Sequence, residues 1–199
     1  LWSWDPRAES AIGERDLSVE GRPLAAGGMI IVSLGTAGSF LGEYLTAAID
    51  PRTRELLWHR PIASFGNDLI VRSRGRGIVQ PLSNYVTGSL VWRDGLIISS
   101  QSGLSSVQSA ASGRVLWLNC LSGVSPRHIQ SSKGSRKFGV VRDGLVATMP
   151  RVLVDGERVI CGSVFASHVE AYDLTTGRRL WSRQVDDASQ PFASGNGMV

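Results

Sequence analysis

Four of the six Trp residues in this 199-residue chain stand at near-regular intervals: Trp2, Trp58, Trp117 and Trp181 are 56, 59 and 64 residues apart. Self-similarity at a nearly fixed spacing constrains a fold more tightly than composition does. The last three Trp each close one short pattern. "AAIDPRTRELLW" places Ala48, Asp50, Thr53, Arg54 and Trp58 at the offsets where "EAYDLTTGRRLW" places Ala171, Asp173, Thr176, Gly177 and Trp181. "VQSAASGRVLW" repeats the spacing with Val107, Ser109, Ser112, Gly113 and Trp117. The opening Leu1–Trp2 reads as the tail of a fourth copy.

The chemistry of this pattern predicts a hairpin. A short apolar run reaches Asp, whose carboxylate accepts backbone N–H groups two residues on. Gly then supplies a backbone position with positive φ at no steric cost. A bulky strand returns and reaches the Trp. Upstream of each Trp a second element recurs, a Gly followed by an apolar run: "AAGGMIIVSLG" from Ala25, "VWRDGLIISS" from Val91 and "VLVDGERVICGS" from Val152. "ASGNGMV" at the end reads as the start of one more. Run lengths of 4–8 residues and the β-branched content favour strands over helices. Each unit therefore reads as a turn, an apolar strand, a short connection, another strand, the Asp/Thr-Gly turn and a Trp-ended strand. The best helix candidate, Glu9–Leu17, has poor apolar spacing. Units are expected at about 3–58, 59–117 and 118–181, with a further one beginning at 182–199, all within one domain.

The composition agrees: 42% hydrophobic, 19% charged and 23 Gly describe a turn-rich globular chain. The net charge of +4 is spread out. Its densest stretches, "RSRGRG" at Arg72 and "RHIQSSKGSRK" at Arg127, hold no aromatic to stack on a base, so no nucleic-acid partner is expected. Leu24–Gly42 is uncharged for 19 residues, but its five Gly and its place in the repeat mark strand and loop rather than a membrane helix. The chain begins at Leu1, not Met, so the natural start is expected upstream.

The repeats resemble those of the pyrroloquinoline-quinone (PQQ) type β-propellers, whose pattern is A-x-D-x-x-T-G-x-x-x-W. That group includes quinoprotein dehydrogenases and a non-enzymatic propeller lipoprotein of the outer-membrane assembly machinery. "AYDLTTGRRLW" matches completely, "AIDPRTRELLW" has Arg54 for Gly, and "VQSAASGRVLW" lacks the Asp. The resemblance implies an all-β propeller in which each repeat is a four-stranded antiparallel blade. Trp58, Trp117 and Trp181 would pack between blades. Asp50, Thr53, Ser112, Gly113, Asp173, Thr176 and Gly177 would hold the turns, with Ala48 and Ala171 in the strand before. Closed propellers need about 4–8 blades. Three to four are present, so a piece of a larger propeller, of eight blades by family analogy, is expected. These repeats exceed the usual blade length, and the excess falls after each Trp, at 65–87 and 121–148, where both insertion and function are at home. "VVRDGLVATM" at Val140 resembles "VWRDGLIISS", leaving the third register open.

Catalytic signatures are sparse. The quinone enzymes carry adjacent cysteines, whereas Cys120 and Cys161 stand 41 apart, with the bonding between them undecided. No stretch matches the family's calcium-site carboxylate and Asn. Asp186 and Asp187 would point to opposite faces of a strand. His59, His128 and His168 lack metal-site spacing, and nothing brings Cys120 and His128 together. The expectation is a protein- or peptide-binding scaffold of the bacterial cell envelope or periplasm, without a cofactor. Its partners would be other proteins, extended peptides or further blades. The competing expectation is part of a PQQ- and calcium-dependent dehydrogenase of alcohols or sugars, with its catalytic residues elsewhere.

Overall fold

A computed structural model describes residues 3–13, 17–36, 42–65, 70–72, 79–81, 89–101, 104–122, 152–162 and 168–184. Fourteen strands are present in them, and twelve form three antiparallel four-stranded sheets. The first sheet holds β1 (Leu17–Ala26), β2 (Met29–Thr36), β3 (Gly42–Ile49) and β4 (Leu56–Phe65) in that order. β5 (Ile70–Arg72) and β6 (Val79–Pro81) pair separately. The second sheet holds β7 (Ser89–Arg93), β8 (Leu96–Gln101), β9 (Leu104–Ser109) and β10 (Val115–Cys120). The third holds β11 (Val152–Asp155), β12 (Arg158–Gly162), β13 (His168–Asp173) and β14 (Arg179–Gln184).

Local chemistry sets the hairpins. Two-residue loops join the first two strands of each four-stranded sheet, where a primed turn matches the strand twist. Gly27–Gly28 and Asp94–Gly95 have positive φ at both positions, and Gly156 has it at the first. These are the Gly signals upstream of each apolar run. The first strand of the second sheet, β7, lies against both β1 and β11, so the sheets fan out from a shared inner side. With strands alternating in direction, the turns after β1, β3, β7, β9, β11 and β13 fall at one end. The chain leaves β4 and β10, and enters β7 and β11, at the other.

Both faces of a middle sheet are covered, which is why its strands read as continuous apolar runs rather than alternating ones. Ile31, Ala48 and Trp58 of the first sheet are buried with Ile97 and Ala110 of the second. Ile98, Val107 and Trp117 of the second are buried with Val159, Cys161, Tyr172 and Leu174 of the third. The other face of the first sheet, with Val32, Leu34, Leu45 and Ile49, is covered by Ile12 and by Trp4. These stacked, fanned sheets are blades of a β-propeller.

At the best helix candidate, Glu9–Leu17, the described residues 9–13 form no helix and Leu17 opens β1; a three-residue 3-10 turn, Pro6–Ala8, stands upstream, capped by the Asp5 carboxylate 3.0 Å from the Arg7 amide. The strands do not end on Trp, since β4 continues to Phe65, β10 to Cys120 and β14 to Gln184. The third blade opens on "VLVDGERVICG"; Val140–Met149 lies outside the described residues, as do Trp2 and the segment from 185. Within Leu24–Gly42 the chain forms strands, and no described helix is long and apolar enough to cross a membrane.

Candidate functional site

The repeated residues converge on the β3–β4, β9–β10 and β13–β14 turns. In each the same two backbone bonds close the loop. Arg54, Gly113 and Gly177 donate to the carbonyls of Asp50, Ser109 and Asp173 at 2.8, 2.8 and 2.9 Å. Asp50, Ser109 and Asp173 donate to the carbonyls of Glu55, Arg114 and Arg178 at 3.0, 2.9 and 2.9 Å. The residue at the Gly position has φ of 70° at Arg54, 69° at Gly113 and 70° at Gly177. Arg54 thus takes the left-handed conformation at a cost of roughly 1–2 kcal/mol.

Side chains complete the turns. Asp173 Oδ1 accepts from the Thr176 amide and hydroxyl, both at 2.8 Å, and Asp50 Oδ1 accepts from the Arg52 amide at 2.7 Å. These bonds hold both carboxyls below the usual range, from Thr176 first in one case and Arg52 in the other. Thr53, Ser112 and Thr176 hydroxyls each accept from the amide two residues on, at 3.4, 3.4 and 3.3 Å. The second turn therefore closes without an Asp.

Beyond each turn the ladder slips by one residue. Ala48, Val107 and Ala171 lie opposite Trp58, Trp117 and Trp181, while the preceding pairs are Ile49–Leu56, Gln108–Val115 and Tyr172–Arg179. Leu57, Leu116 and Leu180 are the extra residues of these bulges, and all three are exposed. A bulge sharpens the local twist and re-aims the side chain beside it. Trp58 and Trp117 reach the next blade's turn. The Trp58 indole N–H donates to Ala110 O at 3.0 Å, and that of Trp117 to Leu174 O at 2.8 Å. A Cβ on Gly113 would lie 2.5 Å from the Trp58 ring, and one on Gly177 would lie 2.5 Å from that of Trp117. Trp181 is half-buried with Ile160, Val169 and Ala171.

Two polar clusters cross the blade contacts. Gln108 Nε2 donates to Thr46 Oγ1 of the first blade at 2.9 Å and to Gly113 O at 3.0 Å, and Thr46 donates back to Gln108 Oε1 at 3.1 Å. The fully buried Glu170 accepts from the Ser122 amide at 3.1 Å, Ser182 Oγ at 2.8 Å, Arg179 Nη1 at 3.1 Å and Tyr172 OH at 2.5 Å. Burial alone would raise its pKa, but these bonds outweigh it and bring the carboxyl down to about 2. Burial pushes the facing Cys161 thiol up to about 12. Sequence reasoning singled out neither Glu170 nor Gln108. The one signal was a charged or amide residue inside an apolar strand.

The other candidates do not assemble. Cys120 and Cys161 are free thiols on different blades. His59 follows Trp58 on β4, and its buried Nδ1 has no hydrogen-bond partner. His168 opens β13. His128, Asp186 and Asp187 lie outside the described residues. Among the described residues no three His, Cys, Asp or Glu side chains come together as a metal site.

Fold and repeat define a PQQ-like repeat β-propeller. The family model described as outer membrane protein assembly factor BamB matches residues 1–183, and the chain belongs to that family. Similar solved structures include BamB from Moraxella catarrhalis, at 18% identity and a TM-score of 0.48 over 86% of this chain and 39% of that one. The quinohemoprotein alcohol dehydrogenase from Comamonas testosteroni aligns at 19% identity and 0.41, over 87% of this chain and 24% of that one. AztD from Citrobacter koseri aligns at 13% and 0.42, over 91% and 51%. The chain thus spans about two fifths of the length of the Moraxella BamB. No curated protein sequence matches it.

Proposed function

We propose that this chain is a non-catalytic propeller scaffold that binds other proteins in the bacterial cell envelope. The observation that carries the reading is the family match over residues 1–183, to a model described by assembly rather than by a reaction. The use of the polar side chains supports it. Asp50 and Asp173 are turned into their own loops, and Glu170 is saturated by its neighbours. Cys120 is exposed on the second blade and Cys161 is buried on the third, so neither has the adjacent partner that the quinone enzymes carry.

Within this reading Trp58 and Trp117 lock neighbouring blades, and Trp181 does so for whatever follows the third. Ala48 and Ala171 leave room across the ladder. Asp50, Thr53, Ser112, Gly113, Asp173, Thr176 and Gly177 shape the turns that receive or precede each ring. The supporting contacts are the two indole hydrogen bonds and the two ring-on-glycine approaches.

The test is an assay of the full-length protein with PQQ, calcium and a redox dye, alongside fractionation of the cells. The scaffold predicts no dye reduction with alcohols or sugars, and recovery in the envelope fraction. Saturable quinone binding with substrate-dependent dye reduction would establish the dehydrogenase instead.

A further inference from the structure

The three outermost strands stand in the same place in their blades but differ in how their free edges are guarded. An edge strand leaves every other N–H and C=O group without a ladder partner, and proteins guard such edges with charge, proline or irregularity. β4 carries His59, Arg60 and Pro61, and two register shifts break its ladder. β14 carries Arg179 and Arg183. β10, "VLWLNC", has no charge and no proline, and beyond the Leu116 bulge, which has its counterparts at Leu57 and Leu180, its ladder is regular from Trp117 to Cys120. Among the described residues no strand pairs with its outer edge.

The side chains of β10 repeat the contrast. Trp117 is buried, and Asn119 is held to the third blade, its Nδ2 donating to Gly177 O at 2.8 Å. Leu116, Leu118 and Cys120 alternate with them and are exposed, the two leucines at 39% and 41%. Alternate apolar side chains beside an unpaired backbone edge are what an added strand requires, with backbone bonds for affinity and side chains for register. Arg114, exposed, stands at the start of the strand, and the Arg60 stem reaches the same turn at Gly113.

We infer that the outer edge of β10 takes up an extended strand from a partner protein, with alternating apolar residues on Leu116 and Leu118 and an acidic residue beside Arg114. This rests on the scaffold reading and names its docking place. The test uses the full chain, isotopically labelled, with a synthetic peptide of alternating valine and threonine bearing a glutamate at each end. Amide hydrogen exchange is read strand by strand. The expected result is saturable slowing along β10 and none along β4 or β14. Leu118→Lys abolishes it, as does Cys120→Lys should the first variant fold poorly, whereas Leu57→Lys leaves it intact. No slowing at β10, or equal slowing at β4, overturns the inference. Slowing that depends on protein concentration without peptide would place a second copy there and overturn it too. Dye reduction in the quinone assay would sink the scaffold reading whatever the peptide does. A silent assay with an unresponsive β10 would remove this site alone.

Discussion

At Gly113 and Gly177 the space that a methyl group would fill is already taken by an indole ring. The two demands on these residues, a left-handed backbone and a missing Cβ, come from different parts of the molecule. The turn sets the first and the preceding blade sets the second. Arg54 meets the first with a full side chain. Gly177→Ala is therefore expected to lose more stability than the roughly 1–2 kcal/mol of a left-handed alanine, because the Trp117 ring must also move. Arg54→Gly is expected to be close to neutral, its relief of strain offset by the greater freedom of the unfolded chain. Urea denaturation of the two variants compares them directly. Trp58→Ala and Trp117→Ala should each cost about 3–5 kcal/mol, as large buried aromatics do. An unchanged midpoint in either would remove its role as a lock.

The blade edge is where ionisation enters. Glu170 joins β13 to β14 through Ser182 and to the exit of β10 through Ser122. Its carboxyl lies at about 2 in the fold, against an ordinary 4.5. A depressed carboxyl contributes stability that is complete above the unfolded value and is lost as pH falls toward the folded one. Stability should thus fall between pH 4.5 and about 2, more steeply in the wild type than in Glu170→Gln. Acid titrations of both, followed by tryptophan fluorescence, measure the difference; parallel curves would show that other carboxyls govern acid unfolding. Elements were legible in the sequence where chemistry is local. The Gly27–Gly28 and Asp94–Gly95 hairpins and the Asp173 turn are encoded within a few residues, and the Trp spacing marked the repeats. The bulges at Leu57, Leu116 and Leu180 were not legible, because a bulge is a relation between two strands and leaves only a Leu-Trp dipeptide on one. Glu170 was hidden for a similar reason: its partners Ser122 and Ser182 are brought to it by the fold. The continuation of β4 to Phe65 escaped because the Trp looked like an ending and is instead a point of contact with the next blade.

Among the described residues each blade packs on its neighbour in the chain, so stability is expected to be distributed as in other repeat arrays. Removing one lock should loosen one side of it before the rest. In Trp117→Ala the amides of β11 to β14 are expected to exchange faster while those of β1 to β4 keep their rates, as hydrogen exchange resolved by strand will report. Uniform acceleration would mean that the three blades open as one unit.

The indoles of Trp58 and Trp117 each point from a blade to the one made after it. Trp58 finds its carbonyl 52 residues later in the chain, and Trp117 finds its own 57 residues later. Synthesis proceeds in the same direction, at about 5–20 residues per second, so each ring leaves the ribosome roughly 3–11 s before its cover exists. The growing chain always carries one finished joint behind and one bare indole in front. A holdase that recognises exposed aromatics would meet this protein once per blade, at its leading edge, and would be released each time by the arrival of a glycine.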